Sequence, residues 1–328
     1  MASKEENGKK YDHPVYKKIS RLNGDINRMS RDELKERLES LHLNSRGVKE
    51  VLKKRLKAHY KRHRLQTEGL STEDPQYYDF YLVVDFEATC EDSHTWPHEI
   101  IEFPIVVIDG KTHQVVDEFH SYVRPTINPV LTDFCISLTG ISQDQVDSSP
   151  LFPEVLTSVE SWLHRNKYCG KGVRSAFVTD GPWDMSRFMY LQCKHSNLAF
   201  PRWANTWVNI RKTYCNFYHF KRTSLRKMLE NMGMSFEGRP HCGLDDTRNI
   251  ARIAQRMLQD GSPLNVNERL FGPKLKSGES LEEVEIEVRG DGSSGLEKDL
   301  AALSVTAAAS DPESDHEDLL SYYSLQKS

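Results

Sequence analysis

No Cys-x-x-Cys pair occurs among the six cysteines, Cys90, Cys135, Cys169, Cys193, Cys215 and Cys242. A disulfide framework is therefore not expected, and reduced intracellular thiols are the default reading. No run approaches the roughly 20 apolar residues that a membrane span needs. The opening Met1-Ala2-Ser3-Lys4-Glu5-Glu6 has no apolar signal region. There is no internal repeat, and no persistent apolar period after Phe271. These absences exclude a membrane protein and point to a soluble cytosolic or nuclear chain. What is present is charge asymmetry. Residues 1–70 carry 19 Lys and Arg against 10 Asp and Glu, a net of +9, and residues 273–328 carry 5 against 13, a net of −8. A basic head suggests that the N-terminal part faces a polyanion.

Residues 1–24 are polar and expected to be disordered. At residues 25–65, Ser30-Arg31-Asp32-Glu33 is a capping-box pattern followed by Leu34, Leu38 and Leu41 at helical spacing. Arg46-Gly47 interrupts it. A second periodic run then follows, with Val48, Val51, Leu52 and Leu56 apolar. Nine basic residues stand against one acid over residues 46–64. Two short helices, a glycine turn and a basic second helix resemble a SAP domain, a small nucleic-acid-binding helical hairpin. Arg46, Lys49, Lys53, Lys54, Arg55 and Lys57 are its candidate RNA contacts. The alternatives are a solvated helix face or, at Lys53-Lys54-Arg55, a nuclear localisation signal. Residues 66–76 read as a flexible linker, and residues 272–328 as an acidic disordered tail with no assignable role.

The body, residues 77–262, opens on Tyr81-Leu82-Val83-Val84-Asp85-Phe86-Glu87-Ala88-Thr89-Cys90, an apolar strand ending in two carboxylates. Residues two apart on a strand share a face, so Asp85 and Glu87 are expected side by side. Strands are expected over 99–108, bent at Pro104, and over 115–123, joined by an Asp109-Gly110 hairpin turn. A short helix over 131–137 and an amphipathic one over 150–165 come next. A strand at 176–178, a helix at 183–191, a strand at 207–210 and helices at 224–232 and 244–258 complete the series. That order implies an α/β domain with a mixed sheet.

Three further chemical features sit at element ends. Asp184 lies in Thr179-Asp180-Gly181-Pro182-Trp183-Asp184, between a strand and a helix. His241 lies in Arg239-Pro240-His241-Cys242-Gly243, and Asp245-Asp246 opens the last helix. Alone, each is most simply a cap or a surface group. Together, four carboxylates and a histidine are what two divalent ions about 3.5–4 Å apart require to direct water at a phosphodiester. Oxygen ligands favour Mg²⁺ or Mn²⁺ over zinc. The histidine can accept the water's proton.

With these motifs the body resembles the DEDDh 3′–5′ exonucleases of the ribonuclease-H-like fold. The resemblance implies that Asp85, Glu87, Asp184 and Asp246 hold two Mg²⁺ ions, with Mn²⁺ able to substitute. It makes His241 the general base, with Glu87 also counted as catalytic, and implies that Ala88, Leu138, Ile141 and His241 meet the terminal nucleotide. Trp183, beside the catalytic stretch, is either a platform for the terminal base or a core aromatic. The family spacing of four residues between His and Asp selects Asp246 over Asp245. SAP-like hairpin, Asp-Phe-Glu-Ala-Thr-Cys and His-Cys-Gly-Leu-Asp-Asp together resemble the Eri-type exoribonucleases of that family. Their implied substrates are structured RNAs with a single-stranded 3′ end: the histone-mRNA stem-loop, the 3′ end of 5.8S ribosomal RNA and small interfering RNA. The implied partners are a stem-loop-binding protein and ribosomes, and the implied locations are cytoplasm and nucleus, including the nucleolus. A catalytically idle RNA-binding adaptor and a DNA 3′–5′ exonuclease are the competing readings.

Overall fold

The computed structural model describes residues 13–70, 78–91, 97–271 and 287–290. The first element corrects an expectation, because residues 14–24, expected to be disordered, are part of a helix. Helix α1 (Pro14–Arg28) starts at a His13 cap, and Val15, Ile19 and Ile26 on one face are buried. Helix α2 (Arg31–Ser40) carries the anticipated capping box, with Glu33 N donating to Ser30 Oγ at 3.2 Å and Ser30 N to Glu33 Oε2 at 2.6 Å. Helix α3 (Lys49–Thr67) runs into the stretch expected as linker, and residues 71–77 lie outside the described ones. Ile26, Leu34, Leu38, Leu52 and Leu56 form the core of this three-helix unit, each fully buried.

Strand β1 (Phe80–Val84) pairs antiparallel with β3 (Ile100–Asp109) and parallel with β5 (Ser175–Thr179). After a two-residue interruption, β2 (Glu87–Ala88) rejoins β3 with a shift in register. β4 (Val115–Tyr122) runs antiparallel along β3. The connection expected as a two-residue turn is longer, because Asp109 N donates to Gln114 O at 2.9 Å across it. β6 (Thr206–Asn209) is parallel to β5, and β7 (Glu268–Phe271) is antiparallel to β6. A further strand, β8 (Glu287–Gly290), falls where the sequence predicts an unstructured tail.

Period-two alternation divides the sheet's side chains between two cores. Leu82, Val84, Phe103, Ile105 and Phe177 face helix α6 (Phe152–Arg165), packing on its Val155, Val159 and Trp162. Tyr81, Val83, Val106, Val178 and Val208 face the other way, against α8 (Ile210–Tyr218), α9 (Leu225–Met232) and α10 (Gly243–Gln259). Two short helices, α4 (Asp133–Thr139) and α5 (Gln143–Asp147), follow β4. A π-helical turn, Asp184–Met189, leads into α7 (Tyr190–His195). The result is a mixed sheet between helical layers, the α/β architecture expected. All six cysteines are free. No helix among the described residues is long and apolar enough to cross a membrane.

The N-terminal helices pack directly on this domain. Val48 N donates to Asn231 O at 2.8 Å, and Val51 is buried among Met228, Leu229 and Met232 of α9. Arg55, expected to contact RNA, is only 5% exposed. Its guanidinium grips Asp260 at 2.8 and 3.2 Å and donates to the carbonyls of Asn44 and Arg46 at 2.7 and 2.9 Å. Tyr218 Oη donates to the same Asp260 carboxylate at 2.9 Å. Arg55 thus belongs to the seam between the helical unit and the sheet domain. Lys54 lies over the Phe217 ring, 4.9 Å from its centroid, at the same seam.

Removing one member of a buried ion pair costs about 3–5 kcal/mol, because the other charge is left uncompensated. Arg55→Ala should therefore lower the unfolding free energy by that amount in urea denaturation. Lys61→Ala, on an exposed position of the same helix, should stay within about 0.5 kcal/mol of wild type. Equal effects from the two would remove Arg55 from the seam.

Candidate active site

The site forms where β1 ends. The ladder with β3 stops at Val84 and resumes at Glu87, leaving Asp85 and Phe86 unpaired opposite Phe103-Pro104. Phe86 N, released from the ladder, donates to Asp184 Oδ1 at 2.9 Å. Asp184 begins the π-helical turn, a local widening found often at functional positions. The backbone break that displays Asp85 is thereby tied to a second acid from across the sheet.

Asp246 comes from the first turn of α10. Its Oδ2 accepts from His241 N at 2.7 Å, and His241 occupies the left-handed region with φ 64°. That bond folds the loop back on the helix start. Glu87, His241 and Asp246 each bring a donor atom to within 4.8 Å of the other two. Asp245 points elsewhere, as its Oδ2 accepts from Arg239 N at 2.9 Å and holds the loop that precedes His241. Of the two adjacent acids, Asp246 is the one that lies with Glu87 and His241.

Asp184 and Asp246 are 6% and 4% exposed. Burial raises the Asp85 carboxyl well above its ordinary value, and Asp184, Asp246 and Glu87 push it in the same direction. Glu87 is likewise raised by burial, then by Asp246 and Glu102. Asp184 is pushed up to about 7, mainly by burial, against the Phe86 hydrogen bond that lowers it. Asp246 is pushed up to about 8, again by burial, against the His241 N–H. His241 moves the other way, down to about 4, through burial and the nearby Arg239 guanidinium. Near neutral pH the imidazole is thus unprotonated and able to accept a proton.

Four mutually repelling carboxylates plus one neutral histidine suit a hard divalent cation, whose preferred ligands are carboxylate oxygens. Asp85, Glu87, Asp184 and Asp246 are the residues that could hold it. Asp180, the neighbouring acid, is instead engaged by Arg211 in an ion pair that includes an Nε–Oδ1 contact of 3.4 Å.

The other expected contacts divide. Ala88 is in β2, 8% exposed, beside Glu87. Trp183 is partly exposed just before Asp184, with the Arg187 guanidinium 4.7 Å from its ring centroid. Leu138 is partly exposed at the end of α4. Ile141 is 2% exposed and packs with Ile101, Leu131, Cys135 and Val146, so its side chain is interior and not a wall for a nucleotide. Arg46, in the loop before the basic helix, is exposed, and Lys49, at its start, partly so. Lys53 pairs with Glu50 at 2.6 Å, and Lys57 donates to Asn27 Oδ1 at 2.6 Å.

Two features escaped the sequence reading. Arg239 Nη2 donates to the carbonyls of Ser137 and Leu138 at 2.7 and 3.3 Å, fastening the His241 loop to α4. Gly140, at φ 74°, makes room for it, since a Cβ there would lie 1.2 Å from Arg239 Nη1. Glu102, an acid inside the apolar strand β3, contacts the start of α10. Its position in Ile-Ile-Glu-Phe was the visible signal.

Fold and site define a ribonuclease-H-like 3′–5′ exonuclease joined to a SAP-type helical unit. The exonuclease family profile matches residues 82–254, and the SAP domain profile matches residues 25–61. The mouse 3′-5′ exoribonuclease 1 is 50% identical over 283 residues, covering 85% of this chain and 81% of its own. The 3′-5′ exonuclease eri1 of Schizosaccharomyces pombe is 36% identical over 267 residues, covering 72% and 89%. A solved 3′-exonuclease, described by its 3′-end-specific recognition of the histone mRNA stem-loop, is similar with TM-score 0.60 and 47% identity, over 87% of this chain and 95% of that one. The nuclease domain of 3′hExo, a DEDDh family member bound to rAMP, gives TM-score 0.58 and 52% identity, over 60% of this chain and 100% of that one. The chain belongs to the DEDDh exonuclease family, in its Eri-type, SAP-containing branch, and is a metal-dependent 3′–5′ exoribonuclease.

The raised carboxyls have a measurable consequence. With Asp184 at about 7 and Asp246 at about 8, the folded metal-free chain holds protons that the unfolded chain has already released. The associated stability is complete below the ordinary carboxylate range and is lost as pH rises through the folded values. In chelator the melting temperature should fall from about pH 5 to about pH 9, and Asp246→Asn should flatten that fall. A wild-type profile no steeper than that of Asp246→Asn would contradict the placement of Asp246 in the cluster.

Proposed function

We propose that the enzyme removes 5′-mononucleotides from the 3′ end of structured RNA, with Asp85, Glu87, Asp184 and Asp246 holding two Mg²⁺ ions, for which Mn²⁺ can substitute. The observation that carries this is the convergence of Glu87, Asp246 and neutral His241 within 4.8 Å, beside the electrostatically coupled Asp85 and Asp184. The chemistry that bound divalent ions supply is neutralisation of phosphate charge and acidification of water. The protein's own part is to present the oxygens without rearrangement, at a strand break, a π-helical turn and a helix start. His241 accepts the proton of the attacking water at its imidazole, and Arg239 helps keep that imidazole neutral. Trp183 offers an aromatic face to the terminal base.

A solved relative described by histone mRNA stem-loop recognition supports such a stem-loop as the first substrate to try; the 3′ end of 5.8S ribosomal RNA and small interfering RNA are further proposed substrates. Lys49, Lys53, Lys54, Lys57 and Arg46 remain the phosphate contacts proposed on the SAP unit, without Arg55. By the same likeness the proposed partners are a stem-loop-binding protein and ribosomes, and the proposed locations cytoplasm and nucleus, including the nucleolus.

The test is product analysis on a 5′-labelled RNA stem-loop with a 3′ overhang, beside its DNA equivalent, with and without Mg²⁺. The expected result is stepwise shortening of the RNA from its 3′ end, in Mg²⁺ only, with mononucleotide release. Asp246→Asn should abolish it, whereas Asp245→Asn should retain most of it. Shortening in chelator, equal cleavage of the DNA, or equal loss in the two variants would overturn the reading.

A further inference from the structure

Helix α10 carries Asp246, yet it has no cap of its own. Its first residue follows Cys242, whose side chain makes no capping hydrogen bond. A helix start leaves backbone N–H groups without intrahelical partners, and buried ones must find acceptors elsewhere. Here the acceptor comes from the sheet. Glu102 of β3, 1% exposed, takes Gly243 N on Oε2 at 2.9 Å and Leu244 N on Oε1 at 3.2 Å. On its other side His120 Nε2 of β4 donates to Oε1 at 2.8 Å. Glu102 also lies directly across the ladder from Glu87.

The fit leaves little tolerance. A Cβ on Gly243 would lie 2.9 Å from the Asp85 carbonyl oxygen and 3.0 Å from Glu102 Oε2. The helix start is therefore held between the backbone of Asp85 and the Glu102 carboxylate. Asp85 and Glu87 stand on one side of this contact and Asp246, one turn into the helix, on the other. An anion at a helix N-terminus is also favoured by the helix dipole, so the contact holds the helix along its axis as well as satisfying its donors.

We infer that Glu102, oriented by His120, is the positioning residue that sets the distance of Asp246 from Asp85 and Glu87, and through it the affinity of the site for divalent metal. It touches neither substrate nor the reacting atoms, and acts by locking α10 to β3. This inference rests on the metal-dependent reading above, and its test separates the two.

The test is calorimetric titration of the full chain with Mn²⁺, alongside thermal unfolding in chelator. Glu102→Gln keeps the shape but turns an amide N–H toward a backbone N–H. Outer partners of metal sites typically contribute about 10–100-fold to metal affinity. Glu102→Gln should weaken Mn²⁺ binding within that range while unfolding well above the titration temperature, and kcat should fall with it. His120→Ala, which leaves both backbone N–H bonds in place, should weaken Mn²⁺ binding less but in the same direction. A folded Glu102→Gln that binds Mn²⁺ like wild type would overturn the inference. Should Glu102→Gln not fold, wild-type affinity in His120→Ala would overturn it instead. Absence of Mn²⁺ binding in the wild-type chain would remove the metal reading itself and the inference with it.

Discussion

Repulsion among Asp85, Glu87, Asp184 and Asp246 is the constraint around which the catalytic domain is built. Burying charge without compensation is costly, and buried acids respond by holding protons, as Asp184 and Asp246 do with values near 7 and 8. The fold keeps these groups together by binding Asp184 and Asp246 to backbone N–H groups. Phe86 N–H fixes Asp184, His241 N–H fixes Asp246, and the interrupted ladder of β1 leaves Asp85 displayed. Each of these hydrogen bonds favours the charged form, and burial outweighs it in both acids. The outcome is a preorganised set of oxygens that gains most from a divalent cation.

The N-terminal helices extend the same domain and are not a loosely tethered accessory. The Arg55–Asp260–Tyr218 network and the Val48–Asn231 hydrogen bond join them to α8, α9 and the end of α10. Helix α8 connects two regions of the molecule. Its first turn carries Arg211, paired with Asp180, and its last turn carries Phe217 and Tyr218 at the seam. The basic face of α3 is consequently held in a defined relation to the nuclease domain, which suits a substrate offering both a duplex and a 3′ end.

Much of this was legible in the residues, and the exceptions have physical reasons. Asp-x-Glu and the later aspartates are local patterns visible in the chain, and the choice of Asp246 over Asp245 came from the His-to-Asp spacing of the family it resembles. Arg55 looked like one of several solvent-facing cations, although it sits four residues after Val51 and three after Leu52, on the apolar stripe. Val15, Ile19 and Leu22 formed a comparable stripe, continued by Ile26, in a segment expected to be disordered up to residue 24 and masked by its lysines. Helix α8 was missed because Thr, Tyr, Cys, Asn and Phe are indifferent helix formers, and packing on the sheet decides their state. Glu102 could not be recognised as a cap, since the helix it caps starts 141 residues later. Ile141 was assigned through the family resemblance, but its side chain turns into the apolar cluster under α4.

The raised Asp184 and Asp246 carboxyls hold protons that a bound metal must displace. Titrating Mn²⁺ into the metal-free protein in two buffers of different ionisation enthalpy reads that displacement directly. At about pH 7 the observed enthalpy should differ between buffers by an amount corresponding to proton release, and the difference should shrink by about pH 9, above the values of Asp184 and Asp246. Metal binding at about pH 7 with the same enthalpy in both buffers would contradict the account.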